Sequence, residues 1–143
     1  MNKSKRGGLA LSLFVIWLAV LLRITVFRDG CFSHGLCSGR VEWIPFRYLA
    51  KLLRIRYYRY FCYLFFGNLF WFVPAALLCL VGATRLRVIC FAFALSVLIE
   101  TLQYLLGSGV TEVEDVILNT CGAALGALLI PRKKDCASKR NMV

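Results

Sequence analysis

Residues 98–120 read LIETLQYLLGSGVTEVEDVILNT. Most of this stretch suits a bilayer core, yet Glu100, Gln103, Asp115 and Asn119 lie inside or at the edge of its apolar runs. An unpaired ion in hydrocarbon costs several kcal/mol or more on most scales, so such residues are rarely accidental. Two helix ends joined by the short GSGVTEVE connection would place all four at one depth.

The rest of the chain supports a membrane setting. Of its 143 residues, 60% are hydrophobic and 14% aromatic, with a mean hydropathy of +0.73. Soluble domains are usually about 45–50% apolar. The length suits a single domain over 1–143 with no separate soluble module. Lys and Arg total 18 against 7 Asp and Glu, a net charge of +11. These cations flank apolar runs and form no stripe on a soluble fold. Anionic head groups or envelope polymers therefore suit them better than nucleic acid.

The expected fold is all-α, an integral membrane four-helix bundle with helices over about 8–27, 60–83, 87–106 and 114–130. Lys3, Lys5 and Arg6 precede the first run as they would a signal sequence. No small-x-small cleavage pattern closes it, and Arg23 stands where a cleavage site would fall, so the helix is read as uncleaved. With both termini inside, ten flanking cations lie inside against seven in the loop from Arg28 to Arg59, the orientation the positive-inside rule favours.

The loop after the first helix carries CFSHGLC, in which Cys31 and Cys37 can bond if the loop lies outside. Beyond it, about 45–59 reads as an amphipathic helix on the membrane surface. Arg47, Lys51 and Arg54 recur at i, i+4 and i+7, with Leu49, Leu52, Leu53 and Tyr57 between them, turned toward acyl chains. His34 is the only histidine, so a His-based triad or multi-histidine metal site is ruled out. The seven cysteines show no C-x-x-C spacing, and Cys62, Cys79, Cys90 and Cys121 read as small core residues. No metal, cofactor or catalytic residue is assigned.

Helical spacing organises the polar residues. Ser96, Glu100 and Gln103 share one face of the third helix, and Asp115, Asn119, Gly122 and Gly126 share one face of the fourth. Glycines in line with polar groups mark where another helix approaches closely, so both stripes should face the bundle interior. Asn68, in the second helix, and Arg23 fall near the same membrane face. Two readings stay open for this cluster. In one it locks the packing, with Arg23 as counter-ion to Glu100 and Asp115 capping the fourth helix. In the other it is a pocket for a head group or cation.

Taken together, NLFWFVP (68–74), SVLIETLQ (96–103) and VEDVILNTCGAALG (113–126) resemble the VanZ-like family of bacterial membrane proteins. The family pattern falls on Asn68, Pro74, Glu100, Gln103, Asp115, Asn119, Gly122 and Gly126, with Pro74 and the two glycines as packing positions. The chain departs from it at Ala76 and Gly109, where many members carry glycine and arginine, and in EWIPF, where many have asparagine before the Pro-Phe pair. The resemblance implies a bacterial cytoplasmic membrane location and a link to low-level teicoplanin resistance, with no reaction attached. Partners would be the lipid bilayer and a lipid-linked cell-wall precursor or lipoglycopeptide. Oligomeric state is left open. A non-enzymatic envelope protein is preferred to two alternatives. One is an intramembrane enzyme or transporter with Glu100 and Asp115 as acid, base or proton carriers. The other is an oligomeric assembly partner.

Overall fold

No proline interrupts the first 44 residues, and the apolar run there forms a single helix, α1 (Lys3–Thr25). The computed structural model describes residues 3–27 and 39–130, with side chains described from Lys5 onward. Cys31, Cys37 and His34 lie outside the described residues. Ala10, Phe14, Trp17 and Leu21, spaced by four, three and four, turn inward and are buried. Leu11, Val15, Ile16 and Val20 stay exposed on the opposite side. Apolar side chains all round a helix, half of them without protein cover, call for lipid as the second solvent.

A short strand β1 (Arg40–Glu42) leads to α2 (Arg47–Arg54) and α3 (Tyr58–Trp71). The second expected helix does not run unbroken. After Trp71 comes a 3-10 turn (Val73–Ala76), then one further turn, α4 (Leu77–Leu80). Pro74 supplies the reason, since it has no N–H to donate and its ring clashes with an α-helical carbonyl four residues back. Within the break Ala75 donates to Phe72 (3.1 Å), one residue short of the α-helical partner. The indole Nε1 of Trp17 donates to the Trp71 carbonyl at 2.6 Å and so ties α1 to the kink.

Helix α5 (Arg85–Leu106) starts at Thr84, whose hydroxyl accepts from the Arg87 N–H at 3.3 Å. It ends in a left-handed Gly107 (φ 60°), with Gly107 N–H donating to Tyr104 and Ser108 N–H to Gln103. That paired return is the Schellman closure that glycine permits. Strand β2 (Val110–Glu112) and α6 (Val113–Leu129) follow.

Among the described residues, three helical stretches are long and apolar enough to cross a membrane: Lys5–Thr25, Tyr58–Leu80 and Arg85–Leu106. α6, with 17 residues, packs chiefly against α5, α3 and the 3-10 turn. Its inward face is made of small residues, and the reason is backbone proximity. A Cβ at Gly122 would run into the Leu69 carbonyl oxygen, and one at Gly126 into the Val73 carbonyl oxygen. Membrane helices gain their contact from such close approach, because lipid supplies no hydrophobic drive between them. At the other end Arg85 closes the helix, its Nη2 donating to the Ile130 carbonyl at 2.9 Å.

Three features depart from the expectations drawn from the sequence, the first of them from the all-α fold. β1 and β2 form a two-stranded parallel pair, with Arg40 opposite Val110, Val41 opposite Thr111 and Glu42 opposite Glu112. The amphipathic segment is helical only over Arg47–Arg54, and its apolar side is covered by protein. Leu49 and Leu52 are buried against Leu118 of α6, with Phe61, Leu64 and Phe65 of α3 around them, whereas Leu53 and Tyr57 are exposed. Finally, Cys62, Cys90 and Cys121 are exposed on outer helix faces and stand outside the core, whereas the half-buried Cys79 packs against it.

Candidate functional site

The polar residues gather at the end of the molecule that holds the β pair, and each bonds across an element boundary. The Asn68 amide Nδ2 donates to Asp115 Oδ1, joining α3 to α6. Asn119 Nδ2 donates to Ser96 Oγ at 2.8 Å, a fully buried bond between α6 and α5. Gln103 Nε2 donates to the Thr25 carbonyl at 3.2 Å and links α5 to the end of α1. These donors thereby replace the water they lack. The helices α1, α3, α5 and α6 are joined in this way.

Glu100 and Asp115 exchange the structural parts that spacing suggests for them. Glu100 Oε2 accepts the backbone N–H of Glu112 at 2.9 Å and so satisfies one of the open donors where α6 begins. The Thr111 hydroxyl adds a bond to the Glu100 carbonyl at 3.0 Å. Asp115, expected as the cap, faces Asn68. Arg23, expected opposite Glu100, donates to the Phe27 carbonyl at its own helix end.

Sequence reading also passed over Glu114. It is 2% exposed, faces the backbone N–H of Phe46 where α2 begins, and keeps Oε2 without a partner among the described residues. The carboxylate thus sits at the positive end of α2 and holds that helix onto the bundle. The missed signal is that Glu114 lies one turn before Leu118, on the face that receives Leu49 and Leu52.

A half-open cleft of about 770 Å³ opens above this network. Gln103 and Asp115 reach it from the helices, Glu112 and Arg40 from the strands, and Tyr48 and Tyr60 from α2 and α3. Glu42 also lines it while pairing with Arg47 at 3.3 Å. Burial is the main cause that pushes the Glu112 carboxyl above its ordinary range, with the nearby Glu114 and Glu42 charges adding to it. An adjoining groove shares Glu42 and Tyr48 and carries Arg47, Lys51 and Arg54. The expected cluster is therefore divided. Gln103 and Asp115 reach the cleft, Asn68 and Asn119 bond to the groups around it, and Glu100 lines an adjoining apolar crevice with Val97 and Trp43 that shares Val41 and Glu112 with the cleft. Arg40, Tyr48 and Tyr60 carry no motif and are brought in by the strand pairing and by the packing of α2.

A multi-helix apolar chain with a polar cleft at one end of the bundle is the class that fold and geometry define. Within it, the family model described as VanZ/LLP1 matches residues 10–134. The chain belongs to the VanZ-like family, and the match extends into α1, beyond the motifs that carry the resemblance in sequence. No curated protein and no solved structure matches the chain.

Proposed function

We propose that this VanZ-like protein is a non-enzymatic, four-span envelope protein of the bacterial cytoplasmic membrane. Its cleft meets the outer leaflet and engages the head groups of lipid-linked wall precursors, or the lipoglycopeptides that seek them, and so modulates teicoplanin susceptibility. α6 is the fourth span in this reading. Its 17 residues reach about 25 Å, near the ~30 Å of a hydrocarbon core. Asp115 in its first turn then lies at head-group depth, where it lines the cleft, while Glu114 stays buried under α2.

The observation that carries the reading is the cleft itself, lined by Gln103, Glu112, Asp115 and Arg40 beside the cationic face of α2. An intramembrane acid–base or proton-carrying role has less support. Glu100 is held on the start of α6 and Asp115 on Asn68, so each carboxylate serves as an acceptor between elements.

The test is susceptibility in a strain that lacks relatives, expressing wild type, Asp115→Asn or empty vector at equal membrane levels. Wild type should raise the inhibitory concentration of teicoplanin, and Asp115→Asn should lose most of that gain. A wild type indistinguishable from the empty vector overturns the proposal.

A further inference from the structure

The cleft contains an acceptor that the fold leaves unmatched. Gln103 is 9% exposed, and its Nε2 donates to the Thr25 carbonyl. That bond fixes the amide orientation, because a carbonyl oxygen cannot donate and so must face the nitrogen. Oε1 is then a buried acceptor with no partner. Left unpaired, such a group costs about 1–3 kcal/mol, so the position favours a donor brought from outside.

Charge points the same way. Among the described residues lining the cleft, Glu42, Glu112 and Asp115 stand against one guanidinium, that of the exposed Arg40. The strand register sets Glu42 and Glu112 directly opposite one another, and Glu42 is partly drawn off by Arg47. An acceptor amide, two carboxylates and two tyrosine rings form a site for an ammonium group. Its three N–H donors match Gln103 Oε1 and the Glu112 and Asp115 carboxylates in number.

The surroundings name what carries the ammonium. Lys51 and Arg54 lie in the adjoining groove, free of the Glu42 pairing that engages Arg47, and can take a phosphate. Tyr60, a wall of the cleft, stacks on Tyr63 at 6.2 Å. Tyr63 in turn lines an apolar groove of about 480 Å³ with Trp17, Phe66, Gly67 and Trp71. At Gly67 a Cβ would meet nothing within 4 Å, so that groove has room for an acyl chain.

We propose that the cleft binds the primary ammonium of a phosphoethanolamine lipid, held by Gln103, Glu112 and Asp115 with its phosphate against Lys51 and Arg54. The assignment rests on reading the cleft as a head-group site and is independent of any effect on resistance. A choline head group, which has no N–H, fills the same volume and cannot satisfy the acceptors.

The experiment uses the full chain in nanodiscs of equimolar phosphatidylethanolamine, phosphatidylcholine and phosphatidylglycerol with matched acyl chains. Lipid retained on release is read by native mass spectrometry. Retention of phosphatidylethanolamine should exceed that of phosphatidylcholine by about tenfold, the worth of one charge-assisted hydrogen bond. Equal retention of the two, or strongest retention of phosphatidylglycerol, overturns the proposal without recourse to any variant. Glu112→Gln should cut the ethanolamine preference, whereas Lys51→Gln with Arg54→Gln should weaken both phosphate lipids and keep their ratio. Soluble phosphoethanolamine binding as tightly as the whole lipid would overturn the membrane source. Selective retention with unchanged teicoplanin susceptibility would leave this site standing and remove the resistance reading, and the reverse result would do the opposite.

Discussion

At the scale of single residues, backbone proximity separates glycines that sequence alone cannot rank. Gly122 and Gly67 both lie in apolar helices, yet a Cβ at Gly122 strikes the Leu69 carbonyl whereas one at Gly67 meets open space. The Leu69 carbonyl is backbone and cannot rotate aside, so α6 would have to move away from α3. Gly122→Ala should therefore destabilise the protein by about 1–3 kcal/mol, the range for overpacking a fitted contact. Gly67→Ala should be neutral or slightly stabilising, since alanine is the better helix former. Thermal unfolding of the two variants in detergent checks this, and equal melting temperatures would contradict the close approach. The Asn119–Ser96 bond would loosen with the same movement, because both partners lie on the faces that α6 and α5 share.

Among the elements, α2 illustrates what could be read from sequence and what could not. The spacing of Arg47, Lys51 and Arg54 marks an amphipathic helix, and Arg47–Arg54 is helical. The pattern does not say what covers the apolar side. Leu49 and Leu52 find Leu118 and the phenylalanines of α3, and Glu114 meets the helix start, none of which lies within 55 residues of α2 except α3 itself. The β pair was hidden for a similar reason. Its strands have three residues each and stand 70 positions apart, too short for any alternation to show. The break at Pro74 was read through as one unbroken helix over 60–83, although proline geometry is local and the residue stands in plain view. If α2 is docked as described, Leu52→Ala should remove about 2–5 kcal/mol of core packing. Limited trypsin treatment should then cut faster at Lys51, Arg54 and Arg56. An unchanged cleavage rate would mean that lipid, and not α6, holds this helix down.

For the whole molecule, the decisive asymmetry is between its two ends. One end holds the cleft, the β pair and the cations of α2. The other holds Lys5 and Arg6 of α1, and Arg85, the first residue of α5, which closes the end of α6. Three long apolar stretches were readable from length and composition. The division of the polar stripe between a cleft, the groups that bond around it and the Glu100 crevice was not, because it depends on which groups of β1 and α2 fold over it. Charge alone gives a weak vote on sidedness, ten flanking cations against seven. The fold sharpens it, since an outward cleft requires Arg54 and Arg87, both exposed and at opposite ends, to lie on opposite sides of the bilayer. With Cys31, Cys37 and Cys136 replaced by serine, an impermeant thiol reagent on intact cells should label Arg54→Cys and spare Arg87→Cys. Cys62, Cys90 and Cys121 face hydrocarbon in this arrangement and should stay unlabelled in both, because a charged, impermeant reagent does not enter the bilayer core. Labelling of Arg87→Cys with Arg54→Cys spared would turn the cleft to the cytoplasm. The lipid site could survive that result, since ethanolamine lipids occupy either leaflet, but an encounter with wall precursors outside the cell could not.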